Sequence, residues 1–196
     1  MKNKVYYPVF LDLTGKICVI VGGGLVAERK CRSLIKTGTL ITVIAPEITK
    51  GLRTYKDKGV IRHIGRAYRK DDIASANIVI SATGSRETNE RVARDAQSLH
   101  KLVNVVDTLD LCNFIVPSVF RRGMLSIAVS TGGVSPAFAK EIRKELEDIY
   151  GPELEGKLKA IGKMRDRAKK EITGKKERER FIKKKTLAIK KGVILK

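Results

Sequence analysis

CVIVGGGLVAERK, residues 18–30, runs from an apolar stretch through three consecutive glycines into a helix-like pattern. Gly22, Gly24 and Ala27 match the motif G-x-G-x-x-G/A, which binds dinucleotides where a strand turns into a helix. The first glycine permits the tight turn, the second lets main-chain N–H groups approach a pyrophosphate, and the small third residue lets helix and strand pack closely. The stretch therefore predicts a dinucleotide site at a helix N-terminus, where the helix dipole favours anions.

The sequence around the glycines alternates short β-rich runs with helix-period stretches. The β-rich runs are KICVIVG (16–22), LITVIAP (40–46), VIRHIG (60–65), NIVISAT (77–83) and KLVNVVD (101–107). Several are apolar nearly throughout, as expected for strands that helices cover on both faces. The pattern predicts an α/β fold with a Rossmann-like, doubly wound parallel sheet. In this context the other interpretation of the glycines, a tight turn without a ligand, is disfavoured.

The rhythm changes after Asp107, where a small α+β module is predicted. NFIVPSVFRRGMLSIAVST (113–131) predicts two strands joined by a turn at residues 121–123. Ser135 fits a helix N-cap and Pro136 fits the first helical position, so a helix is predicted to follow.

Two strongly basic helical stretches, at about 153–170 and 175–191, are predicted to complete the chain. We interpret them as a solvated helical hairpin rather than a dedicated binding surface. The predicted domains are a dinucleotide-binding Rossmann domain (1–112), a small α+β module (113–150) and a basic helical C-terminal domain (151–196).

The formal net charge of +20 is concentrated in the last quarter of the chain. Residues 151–196 hold 17 Lys and Arg against 6 Asp and Glu, a net charge of +11. Such a balance suggests nucleic acid, but five Tyr, five Phe and no Trp leave little material for base stacking. A polyanionic small molecule fits the same field, so no nucleic-acid partner is expected.

The composition predicts a globular protein, since 42% of the 196 residues are hydrophobic. No apolar run approaches the roughly 18–20 residues that a membrane span needs. Residues 1–7 lack the apolar core of a signal peptide, so we expect a cytoplasmic protein without a membrane partner. Cys18, Cys31 and Cys112 are odd in number and widely spaced, so neither a disulfide framework nor a metal site is expected.

A ligand in such a sheet lies outside the carboxyl ends of the strands, where the strand order reverses. The ends considered are Ala45-Pro46, residues 81–84 and residues 104–107. Asp107 is the only ionisable side chain among them, and it is therefore the candidate for proton transfer. The alternative is that Asp107 caps a turn, and spacing alone does not decide between the two.

The end of the second strand bears on the choice between NAD and NADP. The acidic residue that usually holds the ribose 2′-OH would fall near Ile44 or Ala45, and Glu47 lies two or three positions later. No arginine follows this strand closely to receive a 2′-phosphate. We therefore expect NAD as the cofactor.

Three segments together resemble the precorrin-2 dehydrogenase and sirohydrochlorin ferrochelatase family, which forms the N-terminal part of siroheme synthases. The segments are PVFLDLTGKICVIVGGGLVAERK (8–30), NVVDTLDLCNFIVPS (104–118) and LSIAVSTGGVSPAFAKEIRKELE (125–147). The resemblance covers about residues 7–150 in the family's order, and three separate motifs make it far more specific than the glycine loop alone.

The resemblance implies an NAD-dependent oxidation of precorrin-2 to sirohydrochlorin and, in some members, insertion of Fe²⁺ into the product. The family's functional aspartate falls on Asp107, which favours a catalytic role over turn capping. The residues expected to hold the cofactor are Leu25, Val26, Ala45 and Pro46 from the family's contacts, and Gly22, Gly24 and Thr83 from motif position.

The resemblance also implies a homodimer built through residues 113–150. Some members are phosphorylated at a serine where this chain has Thr131, beside Ser130. Precorrin-2 is a polycarboxylate, and Arg121 and Arg122 are predicted to contribute to a basic rim that attracts it.

Two alternatives stay open. Without a cluster of His and Cys, chelation of Fe²⁺ would require a carboxylate, Asp107, to take protons from the pyrrole nitrogens. A non-catalytic NAD-sensing regulatory domain would use the glycine loop equally well, but it would not need the NVVD (104–107) or STGGVSP (130–136) segments.

Overall fold

The computed structural model describes residues 4–190, which form two compact units. One unit ends at Val116 and the other begins at Pro117. Lys191, the last residue of the predicted tail helix, and residues 1–3 of the N-terminal stretch lie outside the described residues. The division into domains at residues 112 and 150 stays a prediction.

The first unit is built on a five-stranded parallel sheet with the order β3-β2-β1-β4-β5. The strands are β1 (Ile17–Val21), β2 (Leu40–Ile44), β3 (Ile61–Ile64), β4 (Ile78–Ser81) and β5 (Leu102–Val105). The helices are α1 (Leu25–Ile35), α2 (Lys50–Asp57) and α3 (Arg86–Ser98), with short 3-10 helices at Lys70–Ile73 and Leu109–Leu111. The predicted Rossmann-like fold is confirmed, and each predicted β-rich run contains one strand.

Helices cover both faces of this sheet, which explains why its strands are apolar nearly throughout. Cys18 and Ile20 of β1 lie in the core that α1 and α2 close. Val19 and Val21 lie in the opposite core, closed by α3 and the Lys70–Ile73 helix. Burial raises the pKa of the Cys18 thiol to about 12, as expected for a core residue.

The strand order reverses at β1, which pairs with β2 on one side and β4 on the other. Val21 is in register with Ile44 and with Ser81, and Ser81 is in register with Val105. The carboxyl ends of four neighbouring strands therefore lie level along one edge. This is the topological switch point at which open α/β sheets bind ligands.

The second unit contains the antiparallel hairpin β6 (Ser118–Arg122) and β7 (Leu125–Val129), followed by α4 (Pro136–Ile149), α5 (Glu153–Glu171) and α6 (Lys175–Lys190). The predicted start of α4 is confirmed, because Ser135 Oγ accepts a hydrogen bond from the Phe138 N–H at 3.2 Å and Pro136 is the first helical residue.

The predicted hairpin turn was wrong for its two arginines. Arg121 and Arg122 belong to β6, where they pair with Ser126 and Leu125, and the connection lies at Gly123 and the residue after it. Cross-strand pairing extends the strand through both arginines, because Gly123 supplies the left-handed backbone of the turn, with φ at 55°.

Arg122 is part of the packing of the second unit. Its guanidinium lies 5.3 Å from the ring centre of buried Phe120, and its Nε donates to the Tyr150 carbonyl at 3.3 Å. Phe120 in turn stacks on Tyr150 at 6.5 Å. Arg121 is exposed and has no such role.

Within residues 4–190, no helix has both the length and the apolar character to cross a membrane.

Candidate functional site

A cavity of about 780 Å³ lies at the carboxyl edge of the parallel sheet, across the switch point. The loops that follow β1, β2, β3 and β4 line it, together with Thr88 and Arg91 of α3. These loops contribute residues 22–24, 45–49, 66–68 and 82–84. The cavity thus collects Gly22, Gly24, Ala45, Pro46 and Thr83, five of the predicted cofactor residues.

Two of the three glycines are required by the fold. A Cβ on Gly22 would overlap the main-chain carbonyl of Ala82, and its φ of 117° is one that other residues rarely adopt. A Cβ on Gly23 would overlap the main-chain carbonyl of Glu47. Sequence analysis missed Gly23, because its constraint comes from a neighbouring loop and not from the motif.

Gly24 is different, because nothing in the chain forbids a side chain there. Its φ is −82°, and no atom lies within 4 Å of a Cβ built on it. Gly24 faces the cavity, so the space that a side chain would fill is open to a ligand. This is the fit expected where main-chain amides approach a diphosphate.

The N-terminus of α1 is also free for an anion. Its N-cap is Gly24, which offers no side-chain acceptor to the first N–H groups. In α2 and α3, by contrast, Thr49 and Ser85 accept hydrogen bonds from N–H groups of the first turn. The first N–H groups of α1 therefore have no side-chain cap, and they lie next to residues 22–24 of the cavity lining.

The loop after β2 is held in place by two contacts. His63 Nε2 lies 2.9 Å from the Ala45 carbonyl, and because a carbonyl only accepts, Nε2 carries the proton. The Thr49 N–H donates to the Gly23 carbonyl at 3.0 Å and joins this loop to the glycine loop. His63 thus has a hydrogen-bond partner within the fold.

A polar network fixes the loop after β4. Ser81 Oγ donates to Asn89 Oδ1 at 2.7 Å, and Thr83 Oγ1 donates to the same oxygen at 2.8 Å. Asn89 Nδ2 returns a hydrogen bond to the Thr83 carbonyl at 3.2 Å. Buried Asn89 therefore sets the position of Thr83 at the cavity wall, a role that sequence analysis missed.

Two arginines of the cavity wall were also missed by sequence analysis. Arg66 comes from the loop after β3, a strand end that was not considered, and Arg91 comes from α3. Arg91 lies 5.2 Å from the ring centre of Tyr68 and donates to the Tyr68 carbonyl at 2.6 Å. Burial and a hydrogen bond to Asp95 raise the pKa of Tyr68. Arg66 is bound to Asp72.

Asp107 lies two residues beyond the end of β5 and is exposed. Since neighbouring strands are about 4.8 Å apart, the end of β5 is about 10 Å from that of β1. Asp107 does not line the cavity, but it lies further along the same edge. Its φ of 58° is uncommon for a residue other than glycine, and Asp tolerates it better than most.

The carboxylate of Asp107 has no hydrogen-bond or ion-pair partner among residues 4–190, so no turn is capped by its side chain there. The turn itself is closed by the Thr108 N–H and the Val105 carbonyl at 3.4 Å. Lys30 of α1 lies close by: burial and Arg29 lower the pKa of Lys30, while Cys112 and Asp107 act in the opposite direction. Asp107 is therefore an unpaired acid with a cation nearby.

The other predicted residues lie outside the cavity wall. Leu25, at the start of α1, is 79% exposed, and Val26 beside it is half-buried. Arg121 and Arg122 belong to the second unit. Across the described residues, no three His, Cys, Asp or Glu side chains gather in a way that could hold a metal ion.

Comparison with known proteins identifies the first unit. The family model described as Putative NAD(P)-binding matches residues 9–118, more than half of the chain. The chain belongs to this NAD(P)-binding family. The nicotinamide dinucleotide cofactor predicted from the glycine loop is thereby confirmed. A second model, described as Sirohaem biosynthesis protein central, matches residues 122–149 of this NAD(P)-binding protein.

Similar proteins support the same assignment. The siroheme synthase of Methylobacillus flagellatus is 40% identical over 154 residues, which cover 79% of this chain and 33% of that protein. The siroheme synthase of Nitrosococcus oceani is 38% identical over 177 residues, covering 90% of this chain and 38% of that protein. The chain thus spans about a third of the length of these relatives.

A solved structure matches nearly the whole chain. It is that of SirC, precorrin-2 dehydrogenase, with a TM-score of 0.80 and 26% sequence identity. The match covers 91% of this chain and 88% of that one. The resemblance to precorrin-2 dehydrogenases and siroheme synthases predicted from three sequence segments is confirmed.

Proposed function

We propose that this protein catalyses the NAD-dependent dehydrogenation of precorrin-2 to sirohydrochlorin in siroheme biosynthesis. The observation that carries the proposal is the similarity to SirC, precorrin-2 dehydrogenase, over 91% of the chain at a TM-score of 0.80. The dinucleotide cavity at the switch point supports the redox part of this assignment.

Different loops along the edge of the sheet hold different parts of the dinucleotide. The Gly24 amide region and the N-terminus of α1 hold the diphosphate. Ala45 and Pro46 form the wall for the adenosine end, and the Thr83 loop confines the dinucleotide on the β4 side. Leu25 and Val26 contribute to the diphosphate site as residues of the first turn of α1. When bound, NAD⁺ supplies a two-electron acceptor that takes up a hydride.

Asp107 is the proposed catalytic base. Dehydrogenation removes a hydride and a proton from the macrocycle, and the unpaired carboxylate of Asp107 accepts the proton. Its exposure lets the substrate reach it, and its place beyond β5 sets it on the β4 side of the glycine loop. The Lys30 side chain lies near this carboxylate, and Asp107 opposes the lowering of the Lys30 pKa by burial. Holding the nicotinamide ring and the tetrapyrrole macrocycle close together in a reactive orientation accounts for much of the rate.

The second unit is proposed to serve substrate attraction and assembly. Exposed Arg121 suits a basic rim for the polycarboxylate better than Arg122, which is engaged with Phe120 and Tyr150. Apolar side chains stand exposed around α4, with Val134 at 88%, Phe138 at 61% and Ile149 at 67%. We propose that a second copy of the chain covers them in a homodimer, which light scattering on the purified protein would test.

A second candidate activity is insertion of Fe²⁺, as a substrate, into sirohydrochlorin. Its support is the unpaired acid Asp107, which could take protons from the pyrrole nitrogens, and the similarity to proteins named siroheme synthase.

The buried free thiols Cys18, Cys31 and Cys112 fit a cytoplasmic location, where such thiols stay reduced.

The test is anaerobic incubation of the purified protein with precorrin-2 and NAD⁺. The proposal predicts formation of NADH together with the absorption spectrum of sirohydrochlorin, and later addition of Fe²⁺ tests the second activity. NAD⁺ binding without any turnover would favour the alternative, an NAD-sensing regulatory domain. No binding of NAD⁺ at all would refute the cofactor site itself.

A further inference from the structure

The Arg66–Asp72 pair lies at the cavity wall after β3, on the side of the sheet where β2 ends. Arg66 Nη1 donates to Asp72 Oδ2 at 2.8 Å, and Nη2 donates to Asp72 Oδ1 at 2.6 Å. This is the two-pronged geometry in which arginine binds a carboxylate or a phosphate most strongly. Arg66 lines the cavity, but its forked edge is filled from within the chain.

The carboxylate of Asp72 is held firmly where it is. Its side chain is only 6% exposed, and it also accepts the Arg69 N–H at 2.7 Å at the start of the Lys70–Ile73 helix. The hydrogen bond from Arg66 lowers the pKa of Asp72, so the carboxylate is ionised at neutral pH. The charge of the guanidinium is therefore neutralised by a fixed partner.

Arg66 lies beside the place where the ribose of a bound dinucleotide would be recognised. The Ala45 N–H donates to the Ile64 carbonyl at 3.2 Å, and the Arg66 N–H donates to the same carbonyl at 2.9 Å. The ends of β2 and β3 are thus joined directly. In Rossmann folds the end of the second strand meets the ribose 2′-OH, and an arginine nearby accommodates the 2′-phosphate of NADP.

At this end of the cavity the lining includes Glu47 and Arg66, whose Nη1–Nη2 edge is already bound to Asp72. We propose that Asp72 sets the cofactor preference by holding the Nη1–Nη2 edge of Arg66, so that this edge cannot receive a 2′-phosphate and the site prefers NAD to NADP. The inference rests on the proposed function, since it concerns the same dinucleotide site.

The experiment measures direct binding of NAD⁺ and of NADP⁺, without precorrin-2, by calorimetry. Asp72→Asn keeps the shape of the side chain but removes its charge and one of its acceptors. We expect it to bind NADP⁺ about tenfold more tightly than the unmodified protein, as a freed bidentate arginine would, while NAD⁺ affinity changes about threefold or less. The matched control, Asp72→Asn combined with Arg66→Gln, is expected to return the ratio of the two affinities to its original value.

A second variant guards against unfolding. Asp72→Gln is uncharged and keeps an acceptor at the third helical position, so it can still accept the Arg69 N–H, and it is expected to show the same shift toward NADP⁺. If either folded variant binds NAD⁺ yet gains nothing for NADP⁺, the inference is overturned. A gain that persists in the Arg66→Gln double variant also overturns it. If the unmodified protein binds neither dinucleotide, the proposed function fails instead.

Discussion

Asn89 and Thr83 are joined by two hydrogen bonds, one in each direction: Thr83 Oγ1 donates to Asn89 Oδ1 at 2.8 Å, and Asn89 Nδ2 donates to the Thr83 carbonyl at 3.2 Å. Thr83 lines the cavity at the switch point, whereas Asn89 is buried behind it on α3. The position of one cavity wall therefore depends on a residue that does not line the cavity.

Replacing Asn89 with Ala is predicted to lower the free energy of unfolding by about 1–3 kcal/mol, because buried Ser81 Oγ loses its partner. The Thr83 loop is then no longer fixed, so NAD⁺ affinity is also expected to fall. Asn89→Asp keeps an acceptor for the Ser81 and Thr83 hydroxyls but loses the Nδ2 donor to the Thr83 carbonyl, so it separates the contributions of these hydrogen bonds. Chemical denaturation and calorimetry measure the two effects. Unchanged NAD⁺ binding in a folded Asn89→Ala protein would show that the network has only a structural role.

The three glycines are predicted to separate into two classes. Gly22→Ala is expected to lower the free energy of unfolding by about 2 kcal/mol or more. Alanine is strained at the φ of this position, and its Cβ would overlap the Ala82 carbonyl. Gly23→Ala is also destabilising, since its Cβ overlaps the Glu47 main chain. Gly24→Ala is expected to fold normally but to bind NAD⁺ about tenfold more weakly, because the methyl group enters the space for the diphosphate.

Thermal unfolding and NAD⁺ titration of the three single variants test this separation. We expect stability to fall in Gly22→Ala and Gly23→Ala, and NAD⁺ affinity to fall in Gly24→Ala at unchanged stability. A Gly24→Ala protein with both full stability and full NAD⁺ affinity would mean that no ligand approaches this main-chain segment.

The stability contributed by Asp72 is predicted to depend on pH. The hydrogen bond from Arg66 lowers the pKa of Asp72 in the folded state below the value of about 3.9 found in unfolded chains. Its contribution is therefore fully present above the unfolded pKa and is lost as the pH falls through the folded pKa. Asp72→Asn is expected to unfold at a lower temperature than the unmodified protein at pH 7, and the difference should shrink below about pH 4. A difference that is the same at all pH values would contradict an ionic role.

Charge reversal at Arg121 is predicted to raise the KM for precorrin-2 several-fold at low salt, with less effect as salt increases, because screening shortens the reach of surface charges. Arg94→Glu, at an exposed position of α3, makes the same change in net charge and is the matched control. Equal effects of the two substitutions would indicate a response to total charge rather than a rim at Arg121. Arg122→Gln should instead lower stability, because its guanidinium packs on Phe120.

Much of the fold was predictable because its signals are local. The strands β1 to β5 lie inside the predicted apolar runs, since strands covered on both faces need apolar residues at every position. The start of α4 was predictable because Ser135 and Pro136 are capping residues in their usual order. The hairpin turn was misplaced by two residues, because Arg121 and Arg122 carry no local signal that distinguishes strand from turn.

The lining of the cavity was predictable where a local motif or the end of a strand points to it. Gly22 and Gly24 follow from the glycine motif, and Ala45, Pro46 and Thr83 follow strand ends, whereas the role of Asp107 stays a prediction. Gly23, Asn89 and the Arg66–Asp72 pair act through contacts with segments distant in sequence, and such contacts exist only once the sheet has formed. Arg66 of the cavity wall was missed because it follows β3 and not β2, where a sequence motif would place it.

The most direct test compares the unmodified protein with Asp107→Asn in an anaerobic assay of NADH formation from precorrin-2, with NAD⁺ affinity measured separately. The account predicts NADH formation by the unmodified protein. In Asp107→Asn, it predicts a turnover reduced about 100-fold or more at unchanged NAD⁺ affinity, as expected for loss of a catalytic base. Full activity of Asp107→Asn, or no NADH from the unmodified protein, would contradict it.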